Sequence, residues 1–415
     1  MGGRREGQRL LIYSQDGLGL GHLRRTTLLA AEFLAAQPGS SVLTVCDSPL
    51  GQFFSSAPGH EHLKLPSIRK MGPGDWSAVS LAMPFPEVLH VRREIIAAAA
   101  QTFAPDVLLV DHMPHGAMGE LVPALELLEK RGTRLVLGLR DILDAPATIR
   151  QRWHLEGAFE AVERHYDEVL VYGTREVFDV STEYAWPAHL DTRLSYCGYV
   201  CSSAPIPSRK RVRRRLLRDH PDAALVVAMA GGGADGYRLF ETLVEAVPAM
   251  AAHRPVVLLV VTGPFLPAAQ RARLKELAQD LPVIVRKSVP DSLTYLNAAD
   301  LVVAMAGYNT TAEILSLGRR ALLVPRSGPS AEQRLRASSF AARGWVHWLD
   351  PDTLAPPVLA GAVLEALEAE PVPPDEHGPD LRGRQRAVAH LTLGSPVVRI
   401  PAEAGRATAA RWGEA

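Results

Sequence analysis

His22 is the side chain of this sequence best placed to move a proton. It closes the run Gly17-Leu-Gly-Leu-Gly-His22 and is followed by Leu23-Arg24-Arg25. An imidazole with an ordinary pKa near ~6.5 can take the proton of a poor nucleophile, such as a hydroxyl, as it attacks. Glycines, here Gly19 and Gly21, leave the backbone bare, so that another molecule can approach it. Asp111 ends the apolar run Val107-Leu-Leu-Val110. Its carboxylate suits either of two tasks: orienting His22 through the other ring nitrogen, or capping the next helix. His112 and His115 read as loop or acceptor-side residues rather than metal ligands, because no carboxylate or third histidine completes a set.

A second group of residues suits an anion. Gly231-Gly-Gly-Ala-Asp-Gly236 follows Leu225-Val-Val-Ala-Met-Ala230 and precedes a helical pattern over 237–250. Bare N–H groups at Gly231, Gly232 and Gly233 and a helix N-terminus favour a phosphate. The same glycines also suit a plain tight turn. Ala306-Gly-Tyr-Asn-Thr-Thr-Ala-Glu-Ile-Leu315 repeats the layout after Leu301-Val-Val-Ala-Met305. Asn309, Thr310 and Thr311 are good helix-capping residues, with hydroxyls and N–H groups for a second phosphate. Glu313 either complements the helix dipole or accepts hydrogen bonds from vicinal hydroxyls. Glu332 and Gln333 open a further helix after Ala321–Pro325 and can read sugar hydroxyls.

The elements that must hold these residues are legible as continuous apolar runs. In the first half they are Leu10–Ser14, Val42–Asp47, Val107–Asp111, Arg134–Leu139 and Glu168–Tyr172. In the second they are Ala224–Ala230, Val256–Thr262, Val283–Arg286, Leu301–Met305 and Ala321–Pro325. Such runs fit strands buried on both faces of a parallel sheet, alternating with helices. The expectation is α/β with two doubly wound, Rossmann-like domains facing a cleft. The first covers 1–200 and the second 201–380, with a C-terminal helix and flexible tail over 381–415. The linker composition Cys201-Ser-Ser-Ala-Pro-Ile-Pro-Ser208 marks the boundary. The basic run 209–215 reads as the solvated face of a helix. Trp76 to Leu89 reads as a loop with a short helix, lining an acceptor site or packed on the core.

Bulk properties exclude some classes. Lys+Arg and Asp+Glu both count 45 in 415 residues, so nothing favours nucleic acid as a partner. The 3 cysteines, an odd and low number, argue against a disulfide framework and fit a reducing cytoplasm. No apolar run is long enough to span a bilayer, and the N-terminus has no signal core, so a soluble, cytoplasmic protein is expected.

The order of these blocks carries a resemblance. It runs from the glycine loop with His22, through Gly231–Gly233 and Leu296-Asn-Ala-Ala-Asp-Leu-Val-Val303, to Gly307-x-Asn-Thr-Thr-x-Glu313. Leu317-Gly-Arg-Arg-Ala-Leu-Leu-Val-Pro325 and Glu332-Gln333 complete it. The chain resembles the GT-B glycosyltransferases. Its nearest branch is the bacterial transferases that add N-acetylglucosamine to lipid-linked muramoyl-pentapeptide, beside related glycosyltransferases of similar layout. The likeness is strongest over 8–36 and 223–340 and vague between 50 and 200. Ala306-Gly307 departs from the two glycines common there, and only His22 matches the usual glycine–histidine loop.

The resemblance implies a nucleotide-diphosphate sugar, UDP first and dTDP second. It would be bound by Gly19, Gly21, Gly231, Gly232, Gly233, Gly307, Asn309, Thr310 and Thr311. Ser288 and Val289 would meet the base, Glu313 the ribose, and Glu332 and Gln333 the donor sugar. It further implies a metal-independent, inverting transfer with His22 as base and Asp111 as its partner, and no cofactor. The acceptor hydroxyl would be lipid-linked, on a glycan or on a natural product, with peripheral membrane contact left open. The alternatives are a same-fold epimerase or hydrolase acting on the nucleotide sugar without acceptor, or a silent sugar-nucleotide binder.

Overall fold

A computed structural model describes residues 7–15, 21–48, 57–72, 75–202, 209–370 and 378–393. Gly19, most of the linker and the tail 405–415 lie outside the described residues. The first half runs β1 (Arg9–Ser14), α1 (Gly21–Ala36), β2 (Ser41–Cys46), β3 (His60–Lys64), β4 (Ile68–Gly72), β5 (Asp75–Ala78) and α2 (Phe85–Phe103). It continues with β6 (Val107–Asp111), α3 (Val122–Lys130), β7 (Arg134–Arg140), α4 (Pro146–Leu155) and α5 (Ala158–His165). β8 (Glu168–Tyr172), α6 (Val180–Glu183) and β9 (Leu194–Tyr196) end it.

The second half runs α7 (Arg209–Leu216), β10 (Ala224–Met229), α8 (Tyr237–Ala251), β11 (Val256–Val261), α9 (Ala268–Leu277), β12 (Val283–Arg286) and α10 (Ser292–Ala298). β13 (Leu301–Ala304), α11 (Tyr308–Ser316), β14 (Ala321–Leu323), α12 (Glu332–Ala341), β15 (His347–Trp348) and α13 (Pro356–Glu368) follow. The last helix, α14 (Gly383–Leu391), does not stay with the second half. It packs on α1, where Arg384 pairs with Glu32 at 2.9 Å.

Both large sheets are parallel. The first has 7 strands in the order β3-β2-β1-β6-β7-β8-β9, and the second 6 in the order β12-β11-β10-β13-β14-β15. The chain therefore reverses its direction of travel across each sheet once, between β1 and β6 and between β10 and β13. Crevices at such switch points, outside the carboxyl ends of the strands, receive ligands in open α/β sheets. Ser14 at the end of β1 pairs with Asp111 at the end of β6, which sets that carboxylate at the first switch point.

Strand alternation divides the second sheet between two cores. Leu225, Val227 and Met229 face a core continuous with the first half; Val226 and Ala228 face a separate core under α8 and α13. The shared core runs through Tyr199, Tyr308 and Phe340, so the halves meet across packed side chains as well as across a cleft.

All ten strands expected from sequence are present, within two residues at each end. Trp76 to Leu89 differs from the expected loop with a short helix. Trp76 lies in β5, which pairs antiparallel with β4, and Phe85 opens the 19-residue α2. Among the described residues no helix is long and apolar enough to cross a membrane. All three cysteines are buried and none is in a disulfide.

Candidate active site

The two switch points open onto one cavity of about 1640 Å³, lined from both halves. His22 stands at its edge in the first turn of α1, with its side chain 18% exposed. Its Nδ1 lies 2.7 Å from Oδ2 of the fully buried Asp111. An ionised carboxylate only accepts hydrogen bonds, so Nδ1 carries the proton and donates it. That leaves the Nε2 lone pair free to act as a base.

Asp111 is held ionised. Burial by itself would raise its proton affinity, but the Arg25 guanidinium and His22 outweigh that and keep it well below the usual carboxylate range. Arg25 Nη2 donates to both carboxylate oxygens, at 2.9 and 2.8 Å. His112 sits beside this group with its ring centroid 5.3 Å from that of His22. Desolvation, with His22 and the cations Arg140 and Arg152, pushes its pKa well below the ordinary histidine value.

The second half faces these residues with two glycine turns and a helix N-terminus. Gly233 has φ +88°, and a Cβ there would lie 1.8 Å from the Thr262 carbonyl oxygen. Only glycine lets the 231–233 turn rest on the 262–265 turn, where Phe265 N–H donates to Gly232 O at 2.9 Å. Gly231, Gly232, Gly233, Ser288 and Val289 all line the cavity. Gly307 caps α11 in an extended conformation, so the first N–H groups of that helix have no partner within it. Gly21, Gly307, Asn309 and Thr310 line the cavity with them.

Several side chains singled out from sequence are already engaged. Thr311 is fully buried, and its hydroxyl donates back to the Gly307 carbonyl at 2.9 Å. It therefore turns away from the cavity, because hydroxyls in a helix bond the preceding turn. Asn309 Nδ2 donates to Gly21 O across the halves at 2.9 Å, while its Oδ1 is buried without a partner. Glu313, 2% exposed, pairs with Arg24 of α1 at 2.5 Å. Burial raises its pKa to about 7 despite Arg24, with Asp291 adding to the rise. Glu332 pairs with Arg140 from the end of β7 at 2.6 Å, and Gln333 Oε1 accepts from Arg326 N–H at 3.1 Å. So both carboxylates read as sugar-binding groups hold arginines of the opposite half. Arg336 joins the halves as well, forking Asp141 at 2.9 and 2.6 Å with both side chains buried.

Sequence reasoning passed over a buried polar network below the cavity. Arg92 Nε and Nη2 bond Glu120 at 2.6 and 2.5 Å, and Gln15 bridges Arg92 and Asp47, each contact at 2.8 Å. The Tyr13 hydroxyl donates to Glu120 at 2.6 Å and accepts from Ala117 N–H at 3.1 Å. This network ties α2 and the 112–120 loop to the end of β1. Arg92 lies in a helix of mixed charge, and nothing local marks it as buried. Among the described residues no three His, Cys, Asp or Glu side chains converge into a metal-sized group.

Comparison with known proteins bears on the fold and on the second half. Residues 226–377 match the glycosyltransferase family 28 C-terminal domain. A UDP-N-acetylglucosamine–N-acetylmuramyl-(pentapeptide) pyrophosphoryl-undecaprenol N-acetylglucosamine transferase of Acidiphilium cryptum is 33% identical over 159 residues. That stretch is 37% of this chain and 41% of the relative, so the chain spans about two fifths of the relative's length. The structure of Acinetobacter baumannii MurG superposes with TM-score 0.56 at 15% identity, covering 92% of this chain and 99% of that one. A Listeria monocytogenes protein assigned as a UDP-N-acetylglucosamine 2-epimerase superposes with TM-score 0.59 at 13% identity, covering 92% and 95%. By fold this chain has the GT-B architecture of these structures, and by sequence residues 226–377 match the glycosyltransferase family 28 C-terminal domain.

Proposed function

We propose that this protein is a metal-independent, inverting glycosyltransferase that moves a sugar from a nucleotide-diphosphate sugar, UDP first, to a hydroxyl acceptor. The observation that carries the reading is the His22–Asp111 pair. Its free Nε2 stands at a cavity whose other wall is two glycine turns and the N-terminus of α11. His22 takes the proton of the acceptor hydroxyl as its oxygen attacks the anomeric carbon. The bond from that carbon to the diphosphate breaks, and the single displacement inverts the centre. Fixed N–H dipoles at Gly231–Gly233 and at the first turn of α11 receive the departing diphosphate without reorganising. Glu313 and Glu332 hold the ribose and sugar hydroxyls once these displace Arg24 and Arg140.

The acceptor enters from the first-half side, past Trp76, His115 and Met118. Met118 exposes a large apolar side chain there, and Met71, Val79 and Leu81, close in sequence to the lining residues Arg69 and Trp76, are exposed too; this supports an amphipathic or lipid-linked acceptor and contact with a membrane surface from the cytoplasm. The binding test is calorimetry across UDP, dTDP, GDP and CDP, with and without EDTA. EDTA-insensitive binding of one diphosphate supports the donor site, and no binding by any of them overturns it. The likeness to an epimerase assignment favours a second reading, in which the sugar is altered on the nucleotide. Turnover of a UDP-sugar with no acceptor present would select it.

A further inference from the structure

Arg25 is the most deeply buried cation next to the proposed base, and the transfer reaction as described gives it no task. Its side chain is 2% exposed. The guanidinium forks the Asp111 carboxylate through Nη2, with Nε at 3.3 Å from Oδ1. The same Nη2 lies 3.0 Å from His22 Nδ1. Oδ2 thus receives two donors, the imidazole N–H and the guanidinium, and the carboxylate has no freedom to turn away from the ring.

Arg25 itself lies against two aromatic rings. Its Cζ lies 5.3 Å from the ring centroids of Tyr172 and of Tyr308. Tyr172 can lie there because Gly138 faces it; a Cβ at 138 would come within 2.2 Å of the tyrosine oxygen. Tyr308 belongs to the other half, at the start of α11, and its hydroxyl accepts from Val200 N–H at 2.9 Å. The next residue, Asn309, holds the carbonyl of Gly21, the neighbour of His22. Two consecutive residues of the donor half therefore brace the base.

We propose that Arg25 is a positioning residue for His22, held in place in part by Tyr308 of the second half. Arg25 fixes Asp111 in orientation and ionised. Asp111 fixes the tautomer that leaves the Nε2 lone pair free, and Tyr308 supports the guanidinium from the donor half. The inference rests on the role proposed for His22.

The test compares Arg25→Gln, Arg25→Lys and Arg25→Ala with wild type. It reads UDP affinity, the pH profile of kcat/KM and the ¹⁵N resonances of the His22 ring. The charged and titratable groups facing that ring are Asp111, Arg25 and His112, with Arg140 and Arg152 beyond His112. In Arg25→Gln a cation beside the imidazole is gone and the Asp111 charge is less compensated, so protonation of His22 becomes easier. The acid limb of kcat/KM then moves to higher pH, kcat falls by about two orders of magnitude, and UDP affinity stays within about twofold. Arg25→Lys keeps the charge but cannot fork the carboxylate: kcat falls while the limb stays near that of wild type. Free guanidinium restores part of the Arg25→Ala activity. The proposal is overturned if UDP affinity falls in step with kcat, or if the limb and ring resonances of Arg25→Gln match wild type. If Arg25→Gln does not fold, a wild-type kcat in Arg25→Lys overturns it. Turnover that survives His22→Ala would instead remove the base role itself.

Discussion

Nδ1 of His22 donates to a carboxylate that Arg25 also holds, which leaves the Nε2 lone pair to act as the base. His22→Ala should therefore lower kcat by about two to four orders of magnitude and leave UDP affinity within about twofold, as measured by steady-state kinetics and calorimetry. Glu313 gives a prediction of opposite character. Burial lifts its pKa from 4.5 to about 7, so the folded state keeps a proton that the unfolded chain releases. Its contribution to stability then declines as pH rises from 4.5 through about 7, and Glu313→Gln flattens that decline in urea titrations. In the proposed ribose-binding role Glu313 accepts hydrogen bonds in its ionised form, so uridine affinity should drop several-fold from about pH 8 to about pH 6 in wild type and not in Glu313→Gln. Residue types and order were enough to single out His22, Asp111 and Glu313. What sequence could not convey is that Arg24 and Arg140 occupy the acidic groups of the opposite half, since such pairs form across 289 and 192 positions of chain (313−24, 332−140).

At the level of elements, the loops matter more than the strands that carry them. The turn at Gly233 rests directly on backbone, so Gly233→Ala must displace Thr262–Gly263 or relinquish the turn. A loss of about 1–3 kcal/mol in chemical denaturation and abolished UDP binding should result. An exposed glycine such as Gly361, in α13 with nothing near its Cβ, should tolerate alanine. The buried parallel strands announced themselves because Val and Leu run unbroken where both faces are covered. β3 did not: His-Glu-His-Leu-Lys reads as polar, yet His60 is buried and bonds Thr44 at 2.9 Å. The β4–β5 pair was hidden by Gly72-Pro-Gly74, which reads as an unstructured break. Proline within the first turn of α2 likewise masks a helix start as a loop.

For the molecule as a whole, the boundary between halves is more polar than a pair of Rossmann-like domains would lead one to expect. Arg336 and Asp141 face each other there with about 1% exposure each. Arg336→Met leaves a buried carboxylate uncompensated and should cost about 3–5 kcal/mol in urea unfolding, with much of it recovered in Arg336→Met/Asp141→Leu. Sequence foresaw two halves and a cleft between them, but not that α14 returns to the first. That return has a mechanical consequence. The outgoing passage at Gly198–Tyr199 and the incoming one at Asp380–Gly383 lie side by side, joined by Tyr199 N–H to Asp380 O at 2.7 Å and Gly383 N–H to Tyr199 O at 3.1 Å. The chain therefore crosses the boundary twice along a single seam. Two bodies tethered by adjacent segments, like a door on one jamb, are constrained against free twisting and sliding. A swing about that seam would widen or narrow the space between His22 and the glycine turns opposite, and would have to part Tyr308 from Arg25 and Arg336 from Asp141 to do so.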